Sequence, residues 1–511
     1  MATYYFDSIL GNDTTGNGSQ ELPWAQYNNK YGSVADGDEC LFKRGTIQII
    51  TTQFLAPRHG LSAATPFRMG AYGEGRRPVF RFGGTVWGYI FNLSNRRWVT
   101  IEDIDWDAQG LPQSTLYVAA QGTGQCYGHR FNRCDFFGSL DRQGISVAKE
   151  DTSTTGATTD IVFTDCRAYD NGGHGFYVCA ATAVRYVRCQ AFRNGSNAVF
   201  GGHGFSARWN RTTITSGWTL VSGAIYKRTL TAGEAAGVVT YMNSTPYAEV
   251  SKNASTPTTP SAGEFGVAGG ELYVNLGVNP NGGSISYAWG RCADIGYIDC
   301  IAYGNIADLQ AVYLEGHGIA LDDFTEDSFI ERCVSHSNEG VGVSINRGNN
   351  NAVHNSLLYN NGAAGVLCSA SDGVSIISCT IARNNMGSPY LPAGTSSELS
   401  FSGGANSGTI RNTCIIARPG GNTYGINVDP AATGWSVSHC NITGFTTAVR
   451  TVAQTSAVSG DPQLTASYRP MAGSPLIGAG THIGYRRDIE KKQRQNPPCI
   501  GAYDAATMIS G

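Results

Sequence analysis

Cysteine recurs along this chain in one local context and at a nearly constant interval. The intervals from Cys166 to Cys189, from Cys333 to Ser356 and from Ser356 to Cys379 are each 23 residues. A repeat of that length indicates structural units stacked on one another. Further members of this Cys column stand in the same context at Cys134, Cys300, Cys414 and Cys440.

A second column confirms the register of the repeat. Five residues after the Cys position the chain places asparagine, at Asn171, Asn194, Asn305, Asn338, Asn361 and Asn384. Asparagine tolerates left-handed backbone and bonds locally in turns, so a stack of asparagines at one corner is typical of a β-solenoid. The sequence therefore predicts an all-β parallel β-helix with coils of about 23 residues, in which the stacked amides can bond to one another.

Strand alternation orients the side chains around each Cys position. Cys166 has the parity of Ala168, so the Cys column is predicted to point inward as buried free thiols, in preference to disulfides or a metal site. The opposite parity carries an outer aromatic column of Tyr169, Phe192, Tyr303, His336 and Tyr359. Sugar stacking, contact with another chain and plain surface packing all remain open for that column.

One interval is far longer than the others. Cys189 and Cys300 are 111 residues apart, and the excess contains β-rich segments around a Thr/Ser/Pro stretch. It predicts an inserted β-rich lobe at 210–290. The predicted divisions are an N-terminal cap with the first coils (1–95), the first part of the β-helix (96–209), the lobe, the second part of the β-helix (291–460) and a closing segment (461–511).

Composition narrows the classes of partner. Glycine is abundant at 66 residues, charged residues make up 15% and the formal net charge is −3. No Lys/Arg run stands out and no apolar stretch approaches the roughly 20 residues that cross a bilayer, so neither nucleic acid nor a membrane is an expected partner. The N-terminus lacks the basic and apolar regions of a secretory signal peptide, so we expect none.

Both ends of the chain carry short motifs. Near the start stand Tyr5-Phe6-Asp7-Ser8, Gly11-Asn12-Asp13, Pro23-Trp24, Gly37-Asp38 and Phe42-Lys43-Arg44-Gly45. Near the end stand Gly473-Ser474-Pro475-Leu476-Ile477, Ala479-Gly480 and Ile500-Gly501-Ala502-Tyr503-Asp504. With the repeats, these motifs resemble the pectate-lyase-like superfamily of right-handed parallel β-helices, which includes polysaccharide lyases, glycoside hydrolases and phage tailspikes.

This resemblance implies a right-handed parallel β-helix that acts on a polysaccharide. Together with the missing signal peptide, it leads us to expect a bacteriophage tailspike on the virion tail that degrades a capsular, exo- or O-antigen polysaccharide. The resemblance also implies a homotrimer with an attachment partner in the phage tail or baseplate. Because a fold does not determine chemistry, an endo-glycosidase is the first hypothesis, with a polysaccharide lyase and a non-catalytic glycan-binding adhesin as alternatives.

A Gly-His-Gly repeat follows the Asn corner, with its histidines at His174, His203 and His317. Before the second and third of them, the segments 195–201 and 306–315 extend the corner and could form the wall of a cleft. Parity places His174 on the inward side with Phe176. A stacked structural column is therefore the first interpretation of these histidines, and substrate contact by His203 or His317 is the second.

Residues at the end of the following strand carry the candidate site. Arg208, Asp322 and Asn346 should stack on one outer face about 4.8 Å apart per coil. Trp209, Asp323 and Arg347 should flank them, and Tyr177 lies at an outward position of the same strand set. Carboxylates between guanidinium groups with an aromatic beside them suit a sugar, whereas the alternative is a surface ladder of salt bridges.

Each hypothesis assigns different groups. Glycoside hydrolysis needs two carboxyls, and Asp322 is the first candidate, with Asp323, Glu315 or Glu339 as the second. Asp322 and Asp323 would face opposite ways on a regular strand, so only a bend lets them cooperate. A lyase needs a base and a cation, for which Arg208, Arg347, Lys149 and Tyr177 are available. No cofactor is expected, and although acidic and Asn-rich turns offer oxygen ligands to Ca²⁺, no spacing singles out a site.

Overall fold

The computed structural model describes residues 1–51, 57–84, 88–149, 155–196, 202–231, 240–245, 252–253, 256–281, 284–307, 316–386, 397–402, 407–420, 423–432, 434–484 and 487–504. Nearly all of its regular structure is β-strand. The short exceptions are an α-helix at Tyr27–Lys30 and a 3-10 turn at Tyr31–Ser33. Within the described residues, no helix has the length and apolar character needed to cross a bilayer.

Successive coils contribute strands to three parallel sheets, which we name sheets A, B and C in the order in which a coil visits them. In the described residues sheet A contains Thr3–Phe6, Glu39–Lys43, Phe67–Tyr72, Val99–Glu102, Cys126–Asn132, Thr158–Thr164, Thr182–Val187, Ala293–Ile298, Phe329–Glu331, Ala352–His354, Val374–Ile377, Ser407–Arg411, Gly434–Ser438 and Gln454–Thr455. Sheet B contains Ile47–Ile50, Val79–Phe82, Asp105–Leu111, Asp135–Ser139, Arg167–Tyr169, Gln190–Phe192, Ile301–Tyr303, Val334–His336, Leu357–Tyr359, Thr380–Ala382, Cys414–Ile416 and Asn441–Thr443. Sheet C contains Gly88–Asn92, Gln113–Ala120, Ile145–Lys149, Phe176–Cys179, Phe205–Arg208, Ile319–Leu321, Val343–Asn346, Val366–Ser369, Ser397–Ser402, Tyr424–Val428 and Thr447–Arg450.

The predicted fold class is confirmed: the chain is a parallel β-helix with its core enclosed by the three sheets. Inward side chains of all three sheets form one continuous apolar cluster from Phe6 to Cys440. All fourteen cysteines are buried and free, and every cysteine of the Cys column except Cys414 belongs to this cluster. The predicted place of Cys414 in the column is wrong, because Cys414 pairs with Thr380, one residue past Cys379, and packs against Leu476 and Ile500 of the closing segment. Thiols of the column also contact backbone oxygens of the preceding coil, and Cys166 Sγ lies 3.5 Å from the Phe131 carbonyl oxygen. The prediction of inward, unpaired thiols is therefore confirmed for the column apart from Cys414.

The Asn column forms a hydrogen-bonded ladder at the corner between sheets B and C. Each Nδ2 donates to Oδ1 of the next asparagine, at 3.0, 3.1, 2.7, 2.9 and 2.8 Å from Asn171 to Asn384. The last amide, of Asn384, donates to the buried carboxylate of Glu398 at 2.6 Å. Because every ladder amide is buried, these bonds satisfy polar groups that water does not reach.

A residue with left-handed backbone precedes each ladder asparagine and turns the chain. The φ values are 54° at Asp170, 52° at Arg193, 54° at Ser337, 53° at Asn360 and 55° at Arg383. Such a conformation costs a non-glycine residue about 1–2 kcal/mol. The ladder bonds offset that cost, since an amide left unpaired in the core would be more expensive.

The outer aromatic column of sheet B is a continuous stack of rings. From Phe137 through Tyr169, Phe192, Tyr303 and His336 to Tyr359, neighbouring centroids lie 4.8 to 5.3 Å apart and their planes are within 13° of parallel. Each inner ring therefore presents its faces to its neighbours and only its edge to the outside. This geometry favours packing along the column and leaves no face of an inner ring for stacking a sugar.

Residues between the strands Phe205–Arg208 and Ala293–Ile298 form two further sheets. One contains Asn210–Ile214, Thr240–Thr245 and Ser284–Trp289, and the other contains Thr219–Ser222, Ile225–Thr229, Lys252–Asn253, Glu264–Ala268 and Glu271–Asn275. On either side of them the β-helix continues in register, with Phe205 paired to Ile319 and Gln190 to Ile301. This inserted lobe thus interrupts the sequence of one coil without interrupting the sheets.

The closing segment folds back along the outside of the β-helix. The buried guanidinium of Arg494 donates to Asn355 Oδ1 at 2.8 Å and to the Gly501 carbonyl oxygen at 2.9 Å. The Ala502 amide donates to Thr380 Oγ1 at 3.0 Å. These contacts fasten the segment to the corner between sheets A and B.

Candidate functional site

The outer face of sheet C brings the predicted site residues into register. Tyr177 pairs with Ser206, Ser206 with Ala320, and Ala320 with Ser344. One position later on this strand set, Ala207 pairs with Leu321 and Leu321 with Ile345. Arg208, Asp322 and Asn346 each follow those residues directly, so they share one column on three successive coils.

Asp322 is held at this face by its neighbours on both sides. Ser344 Oγ donates to Asp322 Oδ1 at 2.8 Å, and His203 Nε2 lies 3.8 Å from Asp322 Oδ2. Its amide donates to the Ala207 carbonyl oxygen at 2.8 Å, which continues the ladder one residue past the strand. With 17% of its side chain exposed, the carboxylate is fixed in place and still open to a ligand.

Asp323 reaches the same region because the strand ends at Leu321. The chain then turns through left-handed backbone, with φ of 45° at Asp323 and 69° at Phe324. Thr325 fixes this turn, since its hydroxyl lies 2.8 Å from both the Ala207 and the Asp322 carbonyl oxygens. Asp323 Oδ2 consequently lies 3.9 Å from Arg208 Nη1, and only 5% of the Asp323 side chain is exposed.

Arg208 occupies the centre of the site. Its guanidinium lies 5.8 Å from the Tyr177 ring centroid, and 36% of its side chain is exposed. The pKa of Arg208 is raised, by Tyr177 first and then by Cys179 and the carboxylates of Asp323 and Asp322. Burial raises the pKa of Tyr177 far above its usual value, so the ring remains a phenol. We call Tyr177, His203, Arg208, Asp322, Asp323 and Ser344 the sheet C cluster.

The three histidines form a buried column beneath this cluster. Their rings stack at 4.8 Å from His174 to His203 and at 4.5 Å from His203 to His317. Each Nδ1 accepts the amide of the next coil at 3.2 Å, which assigns the ring proton to Nε2. Burial is the first cause that lowers the pKa of His174 and His317 to about 3, so these rings are neutral donors at neutral pH.

The glycine after each histidine is dictated by this stacking. A Cβ on Gly175 would lie 2.7 Å from the carbonyl oxygen of Gly204 and 2.8 Å from Nδ2 of Asn194. The Gly-His-Gly repeat is therefore the sequence of a tight corner packed against the Asn ladder. The stacked column was predicted correctly, but its inward direction was wrong. Because the histidine precedes the strand, alternation does not apply to it, and the His174 ring stacks on the outward Tyr177 at 5.2 Å.

Other predicted site residues lie elsewhere. Trp209 is 2% exposed, packs in the core and donates its indole N–H to the Cys292 carbonyl oxygen at 3.2 Å, so its predicted role as a surface platform for sugar is wrong. The reason is that the chain leaves the strand at Arg208, which turns the next side chain inward. Glu339 is exposed at the Asn corner, five residues before Ser344, and accepts the Ala307 amide at 2.9 Å. It is engaged there and not in the sheet C cluster.

The remaining predicted site residues are Glu315, Asn346, Arg347 and Lys149. Glu315, and the extended segments 195–201 and 306–315 in large part, lie outside the described residues. Asn346 and Arg347 are half-buried at the end of their strand, where the Asn346 carbonyl oxygen accepts the Phe324 amide at 3.2 Å. Lys149 is buried, and burial lowers its pKa. In the described ranges no group of three or more His, Cys, Asp or Glu side chains could hold a metal ion.

Sequence reasoning missed the role of Ser344. Ser344 pairs with Ala320 one coil later and donates to Asp322 Oδ1, but nothing in the sequence indicated that the Asp322 side chain leans back toward it. The side-chain direction after a strand end depends on the turn that follows. That turn, at Asp323 and Phe324, was not predicted.

The stability of this region should fall in acid because of the His column. His174 and His317 have a pKa of about 3 in the folded chain against 6.5 as the ordinary value. Below pH 6.5 these two histidines therefore bind protons in the unfolded chain but stay neutral in the folded chain. We expect each of the two to lower the free energy of unfolding by about 1.4 kcal/mol per pH unit as the pH falls from 6.5 toward 3.

Urea unfolding at pH 7 and pH 5 measures this effect. The control is a chain carrying both His174→Asn and His317→Asn, because the asparagine Oδ1 accepts the next amide as Nδ1 does but does not titrate. The variant should lose less stability between the two pH values than the parent. An equal loss in both proteins would contradict the assignment.

The architecture defines the class of protein as a right-handed parallel β-helix. A family model described as a right handed beta helix region matches residues 289–461. Three solved structures share the fold. The mannuronan C-5 epimerase AlgE4 A-module of Azotobacter vinelandii has a TM-score of 0.52 at 12% identity, over 89% of this chain and 100% of its own. The AlgE6 A-module of the same organism has 0.51 at 14%, over 85% and 93%.

The third structure is the complex of XylC with xylose, with a TM-score of 0.52 at 8% identity, over 98% of each chain. Identities this low establish the fold alone. A search of curated proteins finds no match to this chain.

Proposed function

We propose that this protein is a polysaccharide depolymerase, with the sheet C cluster as its active site and glycoside hydrolysis as its reaction. The observation that carries the proposal is that two carboxylates, the partly exposed Asp322 and the buried Asp323, both act electrostatically on Arg208, whose side chain is partly exposed on the outer face of the solenoid. Such a face is elongated along the axis, which suits a chain-like ligand lying across several coils. Two structures with this fold are a mannuronan C-5 epimerase module and XylC in complex with xylose, and a saccharide ligand is consistent with both.

In this proposal Asp322 acts directly on the sugar, as nucleophile or as base toward water. Ser344 and the neutral Nε2–H of His203 orient its two oxygens from opposite sides. Asp323 supplies the second carboxyl that glycoside hydrolysis requires. Arg208 binds an anionic or hydroxyl group of the sugar between them.

A lyase is the second candidate, and a specific observation favours it. Elimination from a uronate needs a cation near the substrate carboxylate and a proton for the leaving oxygen. The partly exposed Arg208 side chain provides the cation. The Tyr177 ring centroid lies 5.8 Å from Arg208 Cζ, and because burial raises the pKa of Tyr177, this residue keeps the phenolic proton that the leaving oxygen needs. Asp322 would then be the base.

A digest of candidate bacterial polysaccharides separates the two reactions. Capsular, exo- and O-antigen polysaccharides are incubated with the full chain while reducing ends and absorbance near 235 nm are recorded. For a hydrolase we expect new reducing ends without absorbance, whereas for a lyase both signals rise together. Binding to a polysaccharide without either signal would contradict both and indicate a glycan-binding adhesin.

We also propose that the depolymerase works as a homotrimeric phage tailspike. Support comes from the sequence resemblance and from the long outer ring stack of sheet B, which presents a row of aromatic ring edges to another copy. Light scattering on the purified chain tests this directly. A mass of about three chains is expected, and a monomer at micromolar concentration would oppose it.

A further inference from the structure

The outer face of sheet B changes character beyond Tyr359. The ring stack stops there, and the same column continues with Ala382, Ile416 and Thr443 on the next three coils. The closing segment crosses over these smaller side chains between Gly460 and Met471. A cleft of about 780 Å³ lies between segment and sheet, a size within the range of small-ligand sites.

Arg383 brings a positive charge into this cleft that no carboxylate neutralises. Arg383 directly precedes a ladder asparagine, and so does Arg193 in an earlier coil. Arg193 pairs with Asp170 at 2.7 Å and lies 4.8 Å from the Phe192 ring centroid. Asp170 stands one coil before Arg193, whereas the residue one coil before Arg383 is Asn360. Arg383 therefore has no acidic partner at the position that Asp170 holds relative to Arg193. Among the described residues, Arg383 has neither an ion pair nor a side-chain hydrogen bond, and its side chain is exposed.

The opposite wall is a shaped loop with an aromatic ring. Tyr468 lies 5.2 Å from Tyr359 but is tilted by 46°, so it departs from the parallel stack. Left-handed backbone at Gln463 (φ 46°) and Tyr468 (φ 63°) bends the loop, and the Met471 amide closes it by donating to the Gln463 carbonyl oxygen at 2.8 Å. Backbone held in this way is frequently associated with ligand sites.

The remaining lining groups suit a sugar more than a protein or a simple anion. Asp461 and Gln463 offer an exposed carboxylate and an exposed amide, and Thr443 offers a hydroxyl. Ile416 and Met471 supply apolar surface beside them. Hydroxyl-binding groups, an apolar wall and one free guanidinium together match a pyranose that carries a carboxylate.

We propose that this cleft binds one acidic sugar unit, with the sugar carboxylate on Arg383 and its apolar face against Tyr468. It lies three coils beyond Asp322, or roughly 14 Å along the axis, and opens on sheet B instead of sheet C. It is therefore an anchoring site that holds the polymer apart from the reacting bond. The choice of an acidic sugar rests on the proposed function, whereas the existence of the site does not.

Binding is tested on the full chain carrying Asp322→Asn, which removes turnover without touching the cleft. Sodium D-glucuronate is titrated by saturation-transfer NMR or calorimetry, with D-glucose and sodium acetate as matched probes. We expect glucuronate to bind at least tenfold more tightly than either. Adding Arg383→Met should weaken glucuronate at least tenfold, whereas adding Arg193→Met, at the paired arginine of the same column, should leave binding unchanged.

Each contrary result overturns the proposal. If glucose bound as tightly as glucuronate, Arg383 would have no role in recognition. If acetate bound as tightly as glucuronate, the cleft would be a simple anion site. Unchanged glucuronate binding in Arg383→Met would place the sugar elsewhere. Tyr468→Ala is the second variant, and it should also weaken glucuronate. Absence of turnover by the parent chain with glucuronate binding intact would contradict the proposed function alone, and turnover by the parent chain without glucuronate binding would contradict this inference alone.

Discussion

With the proposed depolymerase activity, Asp322→Asn should lower kcat on the polysaccharide by about 10³-fold. The amide keeps an oxygen that can accept from Ser344, so the side chain can stay where it is while losing the charge that acts on the sugar. Initial rates from reducing ends, or from absorbance near 235 nm if the reaction is a lyase, measure the loss.

A matched control separates chemistry from folding. Asp160 is an aspartate on the exterior of sheet A, paired with Arg130 at 2.9 Å, and exposed pairs of this kind contribute little. Asp160→Asn should therefore retain parental kcat, and both variants should melt within a few degrees of the parent. Full activity in Asp322→Asn would remove this residue from the mechanism. Ser344→Ala should lie between them, since it removes an orienting bond and leaves the carboxylate.

Asn361→Ala should be among the most destabilising single changes in the β-helix, at about 3–5 kcal/mol of the free energy of unfolding. Its amide donates to Asn384 Oδ1 at 2.8 Å and to the Ser335 carbonyl oxygen at 3.1 Å. Its oxygen accepts both the side-chain amide and the backbone amide of Asn338, at 2.9 and 3.2 Å. All of these partners are buried. Alanine removes all four bonds and takes from the Asn338 backbone amide its Oδ1 acceptor, whereas Asn384 Oδ1 still accepts the backbone amide of position 361 at 3.0 Å.

Urea unfolding followed by circular dichroism gives the magnitude, and hydrogen exchange shows where it acts. Asn349→Ala is the control, because that asparagine is exposed and accepts a single amide, from Asp372, at 2.9 Å. It should cost less than about 1 kcal/mol. Exchange should accelerate around Asn338 and Asn384 in the ladder variant. Similar losses in the two proteins would show that the ladder bonds do not hold the coils together.

The fold could be predicted from the sequence because every coil has the same structural requirements and the sequence repeats them many times. Cys166 meets the need for a small buried group, and Asn171 meets the need for an amide at the corner. Because both residue types recur at the same spacing, each can be recognised as one member of a column that runs through the coils. Neighbouring coils must share one register, so an error at one coil would have placed apolar residues outside on all of them. That redundancy is what made the fold predictable.

The site was predictable only as far as the strand extends. Alternation placed Arg208 and Asp322 in one column correctly, since each follows a paired strand residue. It failed one residue further on, where Trp209 turns into the core, and at the corner before the strand, where the histidine rings face outward. Loops and turns differ from coil to coil, so the repeat does not predict their conformation. The second carboxyl therefore stayed among three candidates, of which Glu339 lies at the Asn corner and outside the sheet C cluster.

The inserted lobe leaves and re-enters the β-helix at one point. Asn210 and Trp289 are paired across the first and last strands of the lobe, so the two chain ends lie about 5 Å apart. A short linker could therefore replace the whole insertion with little cost in loop-closure entropy, while Asn194 and Asn305 stay bonded in the ladder. The β-helix can therefore accept a lobe of a different length at this point without a change in the register of its coils.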